Sequence, residues 1–141
     1  MTLPAYISIT FILTTGLTAF FFLKATHYSK TVFMTMAFWL GLNGLLAYSG
    51  FYQNTEAFPP RIFIAFVPTL ILILLIFLTA KGKRWIDTLD LKTLTLLHVV
   101  RIPVELVLYW LFLHKTIPEL MTFSGRNFDI LAGISAPFVY Y

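Results

Sequence analysis

Long apolar runs alternate with short polar ones along this chain, and run length is the first informative quantity. A helix needs about 20 apolar residues to cross the hydrocarbon of a bilayer. Residues 3–23 form one such run, with no ionisable side chain except Tyr6, and Lys24, His27 and Lys30 follow it. A second run, 31–52, holds no charged residue but carries Gly41, Asn43, Gly44 and Gly50. The loop after it reaches Pro59-Pro60, which no helix continues through, although Pro60 suits the first turn of a new one. The third run, 62–80, is the most hydrophobic, and Pro68 inside it predicts a kink. Lys81, Gly82, Lys83, Arg84 and Trp85 close this run, with Gly82 fitting a helix C-cap and Trp85 the headgroup zone. Residues 87–92 read as a short interfacial stretch.

The fourth run, 93–113, is apolar on average yet contains His98, Arg101 and Glu105. After a polar loop, Ser124 suits the cap of a fifth helix over 127–141 that carries Asp129, Gly133 and Pro137. As a helix, residues 128–141 rise only ~21 Å against ~30 Å of hydrocarbon. The pattern thus predicts an all-α fold: one polytopic transmembrane helical bundle of four full spans plus a fifth helix, short or truncated. Truncation is the favoured reading, because no polar tail follows Tyr140 and Tyr141.

Composition sharpens this. Of 141 residues, 59% are hydrophobic, 18% aromatic and only 11% charged. Soluble domains carry about 25% charged residues, and so little polar surface would not cover a globule in water. Disorder is excluded as well, since disordered chains are poor in aromatics. The absence of cysteine rules out disulfides, thiolate nucleophiles and thiolate-held metals. The net charge of +4 resides mostly in loops between apolar runs, which argues for membrane orientation rather than nucleic-acid binding. Six lysines and arginines follow runs one and three; Arg61, Lys115 and Arg126 follow runs two and four. That asymmetry predicts cytoplasmic loops at 24–30 and 81–92 and an outside N-terminus, in a bacterial inner membrane. The start Met1-Thr2-Leu3-Pro4 lacks a basic n-region, so the first run reads as a membrane helix rather than a cleaved signal.

The candidate chemistry lies in the fourth run. At ~100° per residue from His98, Arg101 falls at ~300°, Glu105 at ~340° and Tyr109 at ~20°. Val100, Val104, Val107 and Leu111 occupy the other face. A charge at the centre of a membrane helix costs about 2.5–3.5 kcal/mol, so two unpaired charges would cost about 5–7 kcal/mol. The stripe is therefore expected to face the bundle interior and find partners. Arg101 and Glu105 are i,i+4 neighbours and can pair with each other. Asn43, Asn127, Asp129 and the row Thr10, Thr14 and Thr18 are further candidate partners. Pro103 frees the carbonyl of Val99 and predicts a kink in the helix.

Two readings of the stripe stand side by side. It is either a structural ion pair that locks helix packing, or a ligand or proton site formed by His98, Arg101, Glu105 and Tyr109. Ionisable residues inside a membrane make the second the working hypothesis. Arg101 would hold an anionic small molecule or lipid headgroup, Glu105 would orient it, and His98 would exchange protons. A transporter- or carrier-like protein uses all of these groups. The alternatives are a structural or assembly subunit that docks on a membrane-protein partner or a second copy, and an intramembrane lipid-modifying enzyme. No catalytic residue is assigned, because neither a G-x-S-x-G pattern nor a phosphate-cradling loop occurs. No metal or other cofactor is expected. His98 and Glu105 stand ~10.5 Å apart along one helix, with a guanidinium between them.

Overall fold

The computed structural model describes residues 3–54 and 56–140; Met1, Thr2, Thr55 and Tyr141 lie outside them. Every regular element among the described residues is helical: α1 (Ala5–Ala25), α2 (Lys30–Tyr48), α3 (Phe63–Leu78), α4 (Ala80–Ile86), α5 (Leu91–Leu97), α6 (Arg101–Leu113) and α7 (Asp129–Val139), with 3-10 turns at Phe51–Gln53, His98–Val100 and Glu119–Met121. Ala5–Ala25, Lys30–Tyr48 and Leu91–Leu113 are each long and apolar enough to cross a membrane. The bent pair α3 and α4 makes a fourth if counted as one span. Contacts divide the chain into two units, Met1–His27 with Asp90–Tyr141, and Tyr28–Leu89.

In the first unit α1 packs along α5 and α6, and α7 packs against α5, α6 and the turn between them. Small residues let the helices approach, as expected where lipid is the solvent: Ala25, Gly133 and Ala136 are all buried. The hydroxyls of Thr14 and Thr18 donate to the carbonyls four residues back, Thr10 and Thr14. With those donors used locally, Thr14 and Thr18 line an apolar groove of about 190 Å³ with Phe11, Val104, Val107, Leu108 and Leu111. The row is thus not the polar face for Arg101 that the sequence suggested.

The start of α5 is fixed by Asp90, within the stretch read as interfacial. Its backbone N–H donates to the Ala25 carbonyl at the end of α1. Its carboxylate accepts from the Thr93 hydroxyl (2.6 Å) and the Lys92 N–H (3.0 Å), as an N-cap should. The Thr93 hydroxyl, with help from the Thr93 and Lys92 N–H groups, holds the Asp90 carboxyl below its ordinary value. A carboxyl lowered in the folded state stabilises the fold above its unfolded value, and that stabilisation is lost as pH falls through the folded one. Asp90→Ala should therefore lower the thermal midpoint at neutral pH. The gap to the parent protein should close on acidification below the ordinary carboxylate range, read as paired melts in detergent across pH.

In the second unit, α2 stops earlier than its apolar run because Gly50 enters the left-handed region at φ 72°, which favours glycine. Asn43 is used locally: its amide donates to the Trp39 carbonyl, and its oxygen accepts from the Tyr52 hydroxyl at 2.7 Å. Arg61 caps the same end, donating to the Phe51 carbonyl and lying 4.8 Å from the Phe51 ring centre.

The sharp bend in this unit falls at Thr79, not at Pro68, which α3 accommodates internally. Thr79 takes an extended conformation, its hydroxyl donates to the Leu75 carbonyl, and its oxygen accepts from the Gly82 N–H. The chain turns through 88° into α4. Gly82 is therefore no C-cap. It lies inside α4 against α3, where a Cβ would overlap the Ile76 carbonyl, so the turn requires glycine.

Candidate functional site

The site is built on the break between α5 and α6. Pro103 has no N–H to offer the Val99 carbonyl, and the chain winds as a 3-10 turn over His98–Val100. Side chains three apart eclipse in such a turn. That places His98 over Arg101, whose Nε donates to His98 Nδ1 at 3.2 Å. The expected stripe angle between these two residues is thereby closed.

The chain then returns to this level. α6 rises ~18 Å from Arg101 to Leu113, yet Asp129, at the start of α7, touches Arg101: Nη1 and Oδ1 are 2.6 Å apart. Arg101 lies one residue from Ile102, the middle of the 23-residue helix Leu91–Leu113. Helix α7 therefore begins level with the middle of Leu91–Leu113, and Asp129 is the candidate partner that Arg101 finds. The other end of α7 nears the start of α5, where Lys92 Nζ lies 6.0 Å from the Tyr140 ring centre. Ser124 does not cap it. Its hydroxyl shares a 2.9 Å bond with Thr122, and the Asp129 N–H is taken by Asn127 Oδ1 instead.

The returning segment is a compact turn. Thr122 is fully buried and donates to the Glu119 carbonyl, and its own carbonyl accepts from Gly125 and Asn127. A Cβ on Gly125 would overlap the Glu119 carbonyl. The turn presents Asn127 to Glu105. The amide donates to Glu105 Oε1 at 2.6 Å and to the Met121 carbonyl at 3.3 Å. Phe123, on the same turn, stacks on Tyr109 with ring centres 5.0 Å apart.

The ion pair of Arg101 is thus with Asp129, and the expected i,i+4 pair with Glu105 is corrected. The turn covers Glu105 and captures it through Asn127, while the first residue of α7 brings a closer carboxylate to the guanidinium. The burial of the stripe is corrected in part. Glu105 is 1% exposed, but His98 is exposed, and the side chains of Arg101 and Asp129 keep 35% and 58% of their surface. Tyr109 packs against the turn through its ring. Asn43 is committed to the other unit. Thr122 and Phe123, which shape the cover over Glu105, carry no signal of their own in the sequence.

One atom stands out. Glu105 Oε2 is buried without a hydrogen-bond partner, although the Phe123 amide approaches the same carboxylate without closing a bond. Buried polar atoms are nearly always partnered, so this orphan requires an explanation. The cavity between α1 and α6 does not reach it, being lined by Val104, Val107 and Leu108 but not Glu105. No protein-family profile, curated protein or solved structure matches the chain.

Proposed function

We propose that this chain is a multi-pass membrane protein of four crossings, α3 and α4 counting as one, in which Glu105 binds and releases a proton as the coupling group of a small-molecule carrier. The observation that carries this reading is the buried Oε2 of Glu105. The groove between α1 and α6 does not reach it, and a proton needs no cavity. A half-helix that starts at mid-span and an irregular segment leading to it support the reading, since carriers build their sites from such interrupted helices. In this role Arg101 is not an anion clamp, because Asp129 and His98 occupy it. Their part is to hold α7, and with it Asn127, over Glu105. On the lysine and arginine count, loops 24–30 and 81–92 face the cytoplasm of a bacterial cell.

The test is independent of any substrate. Infrared difference spectra of the reconstituted protein between acidic and alkaline pH should contain a carboxyl band that Glu105→Gln removes. Glutamine preserves the acceptor for Asn127 and the shape of the side chain. A set of titrating carboxyl bands identical in the two proteins refutes the proposal.

A second reading rests on a different observation. His98 and Asp129 are exposed at a level where lipid is a poor neighbour for them. A partner helix laid over that face would relieve this, as in an assembly subunit. Co-purification with another membrane protein at fixed stoichiometry favours that reading over the carrier.

A further inference from the structure

The segment Ala80–Ile86 joins strong charge to a defined orientation. Counted at ~100° per residue along α4, Lys83, Ala80, Arg84 and Lys81 fall in one arc, and Trp85, Gly82 and Ile86 fall in the opposite one. The surface agrees with this division: Lys81, Lys83 and Arg84 are exposed, whereas Trp85 and Ile86 are half-buried. Gly82 identifies the inner arc, because it sits against the Ile76 backbone of α3. The cations therefore point away from α3.

Two observations fix what surrounds them. Helix α3 presents almost nothing but apolar side chains and buries none of them, so lipid suits its whole surface. The 88° turn at Thr79 then lays α4 across the end of that apolar rod. A short helix across the end of a membrane helix, with Trp85 on its inner side, lies in the headgroup layer. Among the described residues the three cations have no carboxylate partner there. The salt bridge found among the described residues is Arg101–Asp129, and Asp87, one turn beyond Arg84, makes none. Arg84 Nε donates to the Ala80 carbonyl, which leaves the terminal nitrogens of its guanidinium for another acceptor.

We infer that α4 is a binding surface for anionic phospholipid headgroups, with Lys81, Lys83 and Arg84 contacting the phosphates and Trp85 and Ile86 anchoring the helix in the acyl boundary. The inference requires the membrane setting of α3 but not the proton-carrier role of Glu105, so either can fail alone.

The experiment is native mass spectrometry of the full chain in detergent, titrated with dioleoyl phosphatidylglycerol and with dioleoyl phosphatidylcholine. The parent protein should bind phosphatidylglycerol more tightly. Each cation near an anionic lipid is worth about fivefold in affinity. Lys81→Gln, Lys83→Gln and Arg84→Gln should each weaken phosphatidylglycerol binding by about that factor and leave phosphatidylcholine binding unchanged. The triple variant should bind the two lipids equally. No preference in the parent protein, or an undiminished preference in all three single variants, overturns the inference. So does loss of the preference to millimolar glycerol phosphate at constant ionic strength, which would mark a site for a soluble phosphate. The single variants keep the test decisive if the triple variant does not fold.

Discussion

Asp129→Asn should destabilise the protein by about 2.5–3.5 kcal/mol, the cost of an uncompensated charge at the centre of a membrane helix. The substitution leaves the guanidinium of Arg101 one residue from the middle of a 23-residue apolar helix, with only His98 Nδ1 as a partner. It also removes a carboxylate from the first turn of α7, where the helix dipole favours one, worth a further ~0.3–1 kcal/mol at an exposed site. The double variant Arg101→Gln/Asp129→Asn should recover most of the loss, because it removes the charge that lacks a partner. The two side chains keep 35% and 58% of their surface. In water, pairs exposed to that extent contribute only about 0–1 kcal/mol. The magnitude therefore reports the medium as well as the pair. A double-mutant cycle by reversible unfolding in mixed micelles measures it. A coupling below ~0.5 kcal/mol would mean that water, not acyl chain, bathes the pair.

The same pair shows where the sequence stops being informative. Apolar run length locates the long helices, because a 20-residue stretch without charge has few other homes. Helical spacing places His98, Arg101, Glu105 and Tyr109 close together, because that information is local. Partner choice is not local. Arg101 meets a carboxylate 28 positions away, at Asp129, in preference to one 4 positions away, at Glu105. What decides it is the return path of residues 114–128, which no periodicity encodes. Ser124 reads as a cap because serine commonly caps helices; here its hydroxyl is already engaged by Thr122, and α7 starts later. Proline and glycine mislead in a similar way. Pro68 is a standard kink signal, yet α3 absorbs it. The turn occurs where Thr79 can both end one helix and cap the next, and where Gly82 permits the close approach.

The depth of α7 links these details to the proposed role. A helix that began at an interface would bring Asp129 and Asn127 to neither Arg101 nor Glu105. Because the chain runs back to mid-span before α7 starts, its first turn supplies a carboxylate to the cation, and the residue two before it supplies an amide to the acid. Irregular backbone at that depth is tolerated when its polar groups are paired within the protein. The turn from Glu119 to Asn127 meets part of that condition with its own bonds: the Glu119 carbonyl accepts from the Thr122 N–H and hydroxyl, and the Thr122 carbonyl from Gly125 and Asn127. Whatever moves α7 along α6 therefore uncovers Glu105 and strains the Arg101–Asp129 pair in one motion, which is the coupling a proton-driven carrier needs.

Gly133→Leu should break this arrangement outright, while Gly133→Ala should only loosen it. Gly133 is the point of closest approach between α7 and the α5–α6 break. A Cβ there would lie 2.9 Å from Ile102 Cγ1 and 3.2 Å from both the His98 carbonyl oxygen and the Ile102 nitrogen. Alanine already presses its Cβ on the β-branched Ile102 side chain and on two backbone atoms, so α7 must shift by a few tenths of an ångström. Leucine adds three more carbons against backbone atoms that cannot yield, and overpacking of this kind costs about 1–3 kcal/mol. The cheaper response is for α7 to lift from the break, which also takes Asp129 away from Arg101. The losses from Gly133→Leu and Asp129→Asn should therefore fall short of additivity when the two are combined. Because the chain has no cysteine, a single engineered thiol reports the displacement cleanly. Ala136, one turn beyond Gly133, is 3% exposed. A cysteine placed there by Ala136→Cys should react slowly with maleimide in the parent background, faster with Gly133→Ala and fastest with Gly133→Leu. Equal labelling rates in all three backgrounds would show that α7 is not held at this contact, and the link between its position and the cover over Glu105 would fall with it.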